Sequence, residues 1–141
     1  MESRVEEAVD TFKGGYNCAQ AVFVTYADLF GMDKETALKI SSSFGGGLGG
    51  MRQTCGTVSG MSMVAGLYNG QVKAGDKEAK KTNYETVQLL CHEFTAQNGS
   101  IICGQLLGLV EGLPPEFKKK PCIEYIKCCA TLIEKYLLTD K

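Results

Sequence analysis

Seven cysteines stand in a chain that has one histidine and no tryptophan, so thiol sulfur is the chemistry this sequence offers most. A thiolate is a nucleophile and a soft metal ligand, and a helix N-terminus favours it through unpaired N–H groups and positive partial charge. Four cysteines fall at such places in the predicted helix map. Cys18 follows the capping Asn17, Cys55 follows Thr54, Cys103 comes three residues after Ser100, and Cys122 follows Pro121, which suits a first helical position. Lys118, Lys119 and Lys120 add cationic charge beside Cys122. One such placement means little. Four together mark Cys18, Cys55, Cys103 and Cys122 as redox thiols or as metal ligands.

The other three cysteines read as packing residues. Cys91 falls on the apolar face of a helix interior, and Cys128 and Cys129 lie among Tyr125, Ile126, Leu132 and Ile133 in the last helix. Cys122 and Cys129 share a helix face, but seven residues is roughly 10.5 Å of rise, too far for one metal ion. A bond between the adjacent Cys128 and Cys129 would be strained inside a helix. His92 is next to Cys91 and points away from it around the helix, so it reads as a surface residue and not as a partner base. There is no C-x-x-C, which excludes zinc-ribbon and thioredoxin-type motifs. Met51, Met61 and Met63 are expected to fill core gaps. The four site cysteines are scattered along the chain, so any shared site must be assembled by convergence of helix starts.

The stretch "FGGGLGGMRQTCG" leads into Cys55. Gly45, Gly46, Gly47, Gly49, Gly50 and Gly56 are read as allowing close backbone approach to the site. Gly45, Gly47 and Gly50 also match G-x-G-x-x-G, but the context is wrong for a nucleotide. The preceding "ETALKISSSF" has helical spacing where a strand is needed, no Lys-Ser/Thr follows, and the next acidic residue is Asp76. Gly56 and Gly60 are four apart on one predicted helix face, which permits tight contact with a neighbouring helix.

The elements that must position these residues are helical. Val5, Ala8, Val9 and Phe12 form a stripe, stopped by Gly14 and Gly15. Asn17 caps a helix ended by Gly31, and Asp33 caps "KETALKISSSF". Thr54 is expected to cap "CGTVSGMSMVAGLY", and Ser100 the short "IICGQLLG". A long helix runs from about Asp76 to Asn98, with Tyr84, Val87, Leu90, Cys91 and Phe94 inward. Pro121 opens the last one. The fold class is all-α: one domain over residues 1–141, a compact bundle of five to seven helices with the glycine-rich loop leading into a central helix. A net charge of −1 argues against nucleic acid as a partner. The apolar runs are far short of the roughly 20 residues of a membrane span, so no membrane insertion is expected. The acidic start lacks an apolar leader, and a cytoplasmic location is expected.

"YNCAQAV", "FGGGLGGMRQTCGTVSG", "CGQLLG" and "PCIEYI" together resemble the C_GCAxxG_C_C family, named for its cysteines and regarded as redox-active. The likeness runs from about Tyr16 to beyond Cys122. It carries the family's four cysteines onto Cys18, Cys55, Cys103 and Cys122, the same four that the helix starts single out. One departure is Thr57, where the family pattern has Ala, and it bears on local packing. A related domain in split-Soret cytochromes, thought to hold an iron–sulfur cluster, adds that option by analogy. The resemblance thus implies a redox protein with an unidentified redox partner, and is compatible with a homo-oligomer. Iron–sulfur binding, thiol–disulfide chemistry, a structural zinc held by four thiolates, and a helical interaction module without redox chemistry all remain open from the residues alone.

Overall fold

Asn17 begins the helix around which the others are arranged. Its Oδ1 accepts from the Gln20 N–H at 2.9 Å, while Gln20 Oε1 accepts from the Asn17 N–H at 3.0 Å, a reciprocal pair that satisfies two otherwise free donors. The structure, a computed structural model, describes residues 1–139. It is all-α: α1 (Val5–Lys13), α2 (Cys18–Ala27), α3 (Lys34–Ser42), α4 (Gly56–Asn69), α5 (Lys77–Asn98), the single turn α6 (Cys103–Leu106) and α7 (Cys122–Leu137). A 3-10 turn, Asp28–Phe30, closes α2 and ends at Gly31 with φ 85°. Asp33 and Asp76 cap α3 and α5 through side-chain oxygens that accept from Thr36 and Ala79 N–H groups.

Two expected caps fall elsewhere. Thr54 forms an antiparallel bridge with Ile102, so Cys55 takes the cap position and α4 begins at Gly56. Ser100 Oγ accepts from the Ile102 N–H, but Ile102 is the residue that precedes α6. Pro121 likewise precedes α7 and is not its first residue. The reason is tertiary. Cys55 N–H donates to Ile101 O (2.7 Å), Cys103 N–H to Gln53 O (2.6 Å) and Gly104 N–H to Arg52 O (3.0 Å), and these bonds fix where both helices start.

One hydrophobic core gathers side chains from α1, α2, α4, α5 and α7. α2 packs on α4 and α3, and α7 packs on α1 and α4. The α2–α4 approach needs glycine: a Cβ on Gly60 would stand 2.9 Å from Ala19 O and 3.1 Å from Val22 Cβ. On α5, Leu90 and Phe94 are buried as expected, but Tyr84 is exposed. Met61 is buried and Met63 partly so; Met51 is 61% exposed and fills no core gap, because it rides on the outside of the glycine loop. No described helix is long and apolar enough to cross a membrane.

Candidate functional site

Cys18, Cys55, Cys103 and Cys122 line one cavity of about 180 Å³. Cys18 opens α2 and Cys55 stands at the cap of α4, while Cys103 opens α6 and Cys122 opens α7. The remaining wall is mostly apolar: Phe12 of α1, Leu106, Leu107 and the ring of Tyr125. Tyr125 is buried; its hydroxyl donates to Leu106 O at 3.2 Å and accepts from the Lys120 N–H at 3.1 Å, which holds the segment leading to Cys122 against α6.

The glycine loop brings two of the sulfurs in. Gly46, Gly47, Leu48, Gly49 and Gly50 all have positive φ, a run that side-chain-bearing residues rarely enter. It folds the chain back so that Gln53 N–H reaches Gly47 O at 2.8 Å and Arg52 N–H reaches Gly46 O at 3.0 Å. A Cβ on Gly47 would lie 2.6 Å from Cys103 Cβ, and one on Gly56 would lie 2.5 Å from Cys18 Sγ. Gly46 and Gly56 line the cavity itself. Gly45 packs on the Asn17 side chain instead, where a Cβ would come within 2.4 Å of it. Gly49 and Gly50 are exposed and serve the turn, not the site, so the expected backbone approach narrows to Gly46, Gly47 and Gly56. The segment before the loop is helix α3, not a strand, which removes the structural context of a dinucleotide fingerprint.

Electrostatics run against the expectation from helix starts. Burial pushes the Cys55 thiol up to about 11; the Thr57 hydroxyl and the N–H groups of Thr57 and Val58 pull it down, and lose. Burial also raises Cys122, helped by neighbouring Cys18 and Cys103 and opposed by Arg52. Lys120 of the lysine run turns its Nζ to Asn98 Oδ1 (2.8 Å) and Gln97 O (3.4 Å), not to Cys122. The cation at the site is Arg52, whose Nη1 points at Cys103 Sγ from 3.7 Å. Sequence reasoning missed Arg52, although it is the lone cation inside the glycine-rich stretch. It also missed the chemistry of Thr57, whose Oγ1 lies 3.0 Å from Cys55 Sγ.

The other cysteines stay outside the cavity. Cys129 is fully buried in the core. Cys128 is half-buried beside Asn98 and Gln97, with Sγ 3.5 Å from Asn98 Nδ2 and from Gln97 Oε1. Cys91 is half-buried on an open apolar groove with Met63, Val87 and Ile101. His92 is exposed, as expected. All seven cysteines are free thiols. Among the described residues no three His, Cys, Asp or Glu side chains are arranged to hold a metal ion. The four site thiols therefore surround a space instead of meeting at a point, and a space of this size exceeds the ~150 Å³ that admits a benzene-sized group.

No curated protein and no solved structure matches the chain. One family model does, that of the "Putative redox-active protein (C_GCAxxG_C_C)", and its match over residues 16–136 takes in all four cavity cysteines and the glycine loop. With most of its length matched, the chain belongs to the C_GCAxxG_C_C family.

Proposed function

We propose that Cys18, Cys55, Cys103 and Cys122 hold a small iron–sulfur cluster and that the protein passes electrons to a redox partner in a reducing, cytoplasmic compartment. The observation that carries this reading is the shared cavity: four thiols from four elements bound a space of about 180 Å³. A group of several atoms fills a cavity of that volume better than a single ion does, which supports a cluster over structural zinc. When bound, such a cluster supplies one-electron redox chemistry. The chain's own residues do the rest. Phe12, Leu106, Leu107 and Tyr125 keep water from the sulfurs, and the turn through Gly46 and Gly47 holds Cys55 and Cys103 at opposite ends of a short backbone bridge. Arg52 places a positive charge at the cavity mouth, where it offsets the negative charge of ligating thiolates.

Thiol–disulfide exchange by the same four residues is the competing reading. It needs a nucleophilic thiolate at neutral pH, and burial opposes one at Cys55 and Cys122. Anaerobic reconstitution with iron and sulfide decides between them. The expected result is a visible charge-transfer band with stoichiometric iron and acid-labile sulfide, lost in Cys18→Ser, Cys55→Ser, Cys103→Ser and Cys122→Ser. A colourless protein that instead takes up zinc, or that forms disulfides in pairs on mild oxidation, would reject the cluster.

A further inference from the structure

Thr57 is a polar side chain with no exposure at all, on the second residue of α4. A buried hydroxyl needs partners, since leaving one unpaired is costly. A helical threonine commonly donates to the carbonyl four residues back, and here that oxygen, on Gln53, already takes the Cys103 N–H at 2.6 Å. The Thr57 hydroxyl turns to sulfur instead. Its Oγ1 is 3.0 Å from Cys55 Sγ. No buried side-chain oxygen or nitrogen among the described residues lacks a partner, so this contact satisfies it.

We propose that Thr57 is a positioning residue that donates a hydrogen bond to the Cys55 sulfur. The direction follows from the inventory of groups. When Cys55 Sγ is a ligand or a thiolate it has no proton of its own to give, so the Thr57 hydroxyl is the donor across the 3.0 Å contact. A hydrogen bond to a ligating sulfur stabilises the more negative, reduced state, so it raises the reduction potential. That consequence rests on the proposed function; the hydrogen bond itself does not.

Thr57→Val keeps the shape and removes the donor, Thr57→Ala removes the donor with less bulk, and Thr57→Ser keeps the donor. In iron-loaded protein, Thr57→Val should shift the reduction equilibrium about tenfold toward the oxidised state, about 59 mV for one electron. Thr57→Ser should restore the wild-type potential, and Thr57→Ala should shift it as Thr57→Val does. Equal potentials in wild type and Thr57→Val, at equal iron content, would overturn the proposal. If Thr57→Val does not fold, an unchanged potential in Thr57→Ala does so. If wild type never loads iron, the proposed function has failed, and the hydrogen bond is read in metal-free protein. There iodoacetamide at fixed pH should label Cys55 several-fold more slowly in Thr57→Val than in Thr57→Ser, and equal rates would reject it.

Discussion

Cys55 is pulled two ways. Its position at the start of α4 offers N–H groups and partial positive charge, while its burial removes the water that a thiolate needs. Burial wins, and the thiol stays protonated until about pH 11 in metal-free protein. The order of labelling by iodoacetamide at neutral pH follows: half-buried Cys18 and Cys122 first, Cys55 later, and Cys129 last, because it is fully buried and burial pushes its thiol well up. Peptide-resolved mass spectrometry gives this order directly, and Cys55 labelling alongside Cys18 would mean that its pocket opens. A second outcome concerns the thiols outside the cavity. Cys91→Ser with Cys128→Ser should leave iron binding intact, and Cys129→Ala should cost about 1 kcal/mol for the space it leaves. That Cys18, Cys55, Cys103 and Cys122 would line one space was legible because each comes within three residues of a local sign of a helix start, an Asn, a Thr, a Ser or a Pro. Arg52 and Thr57 were not, since a lone arginine and a helical threonine acquire meaning only from the sulfur that folding sets beside them.

At the scale of elements, glycines divide by what a side chain would strike. Gly56→Ala drives a methyl into Cys18 Sγ and toward Phe44 O, so it should abolish iron loading and destabilise the fold by about 1–3 kcal/mol. Gly66, in the same helix, has open space around it and an ordinary helical backbone. Gly66→Ala should therefore stabilise by about 0.5–1 kcal/mol with the site unchanged. Paired urea melts and iron assays test both, and a neutral Gly56→Ala would show that α2 and α4 can part without loss. The same contrast explains what the sequence could reveal about elements. The caps at Asn17 and Asp33, the start of α5 near Asp76 and the stripe of α1 depend on neighbours within a turn or two, and they fell where expected. Thr54 and Ser100 look like caps by the same local rule. They are displaced by bonds between residues 52–55 and 101–104, about fifty positions apart, which no local pattern encodes.

At the scale of the whole molecule, α1, α2 and α7 are closed on one another by a polar clamp remote from the cavity. Arg4 Nη1 reaches Asp28 Oδ1 at 2.7 Å and Thr25 O at 2.9 Å, while Glu134 Oε2 accepts from the Arg4 N–H at 2.7 Å and from the Tyr26 hydroxyl at 2.5 Å. Because α1 carries Phe12 to the cavity wall, this clamp also fixes one side of the site. Its chemistry joins that of the buried thiols in one direction. Burial and the Glu134 carboxylate lift the Tyr26 hydroxyl far above its usual range, and burial lifts Cys55 and Cys129. In the unfolded chain these groups ionise near their ordinary values, about 8.5 for cysteine and 10 for tyrosine. Their folded values are higher, so the stability they contribute is complete below those pH values and is lost as pH rises toward the folded ones. Each fully buried group that has lost its proton only in the unfolded state subtracts up to about 1.4 kcal/mol per pH unit. Metal-free protein should accordingly hold a flat denaturation midpoint through neutral pH, begin to weaken above about pH 8.5, and weaken more steeply above about pH 10 as Tyr26 joins. Cys129→Ala should flatten the first limb and Tyr26→Phe the second, each at some loss of stability at neutral pH. A midpoint that stays level to pH 10 in the wild type would mean that the core admits thiolates, and with them water, far more readily than its packing implies.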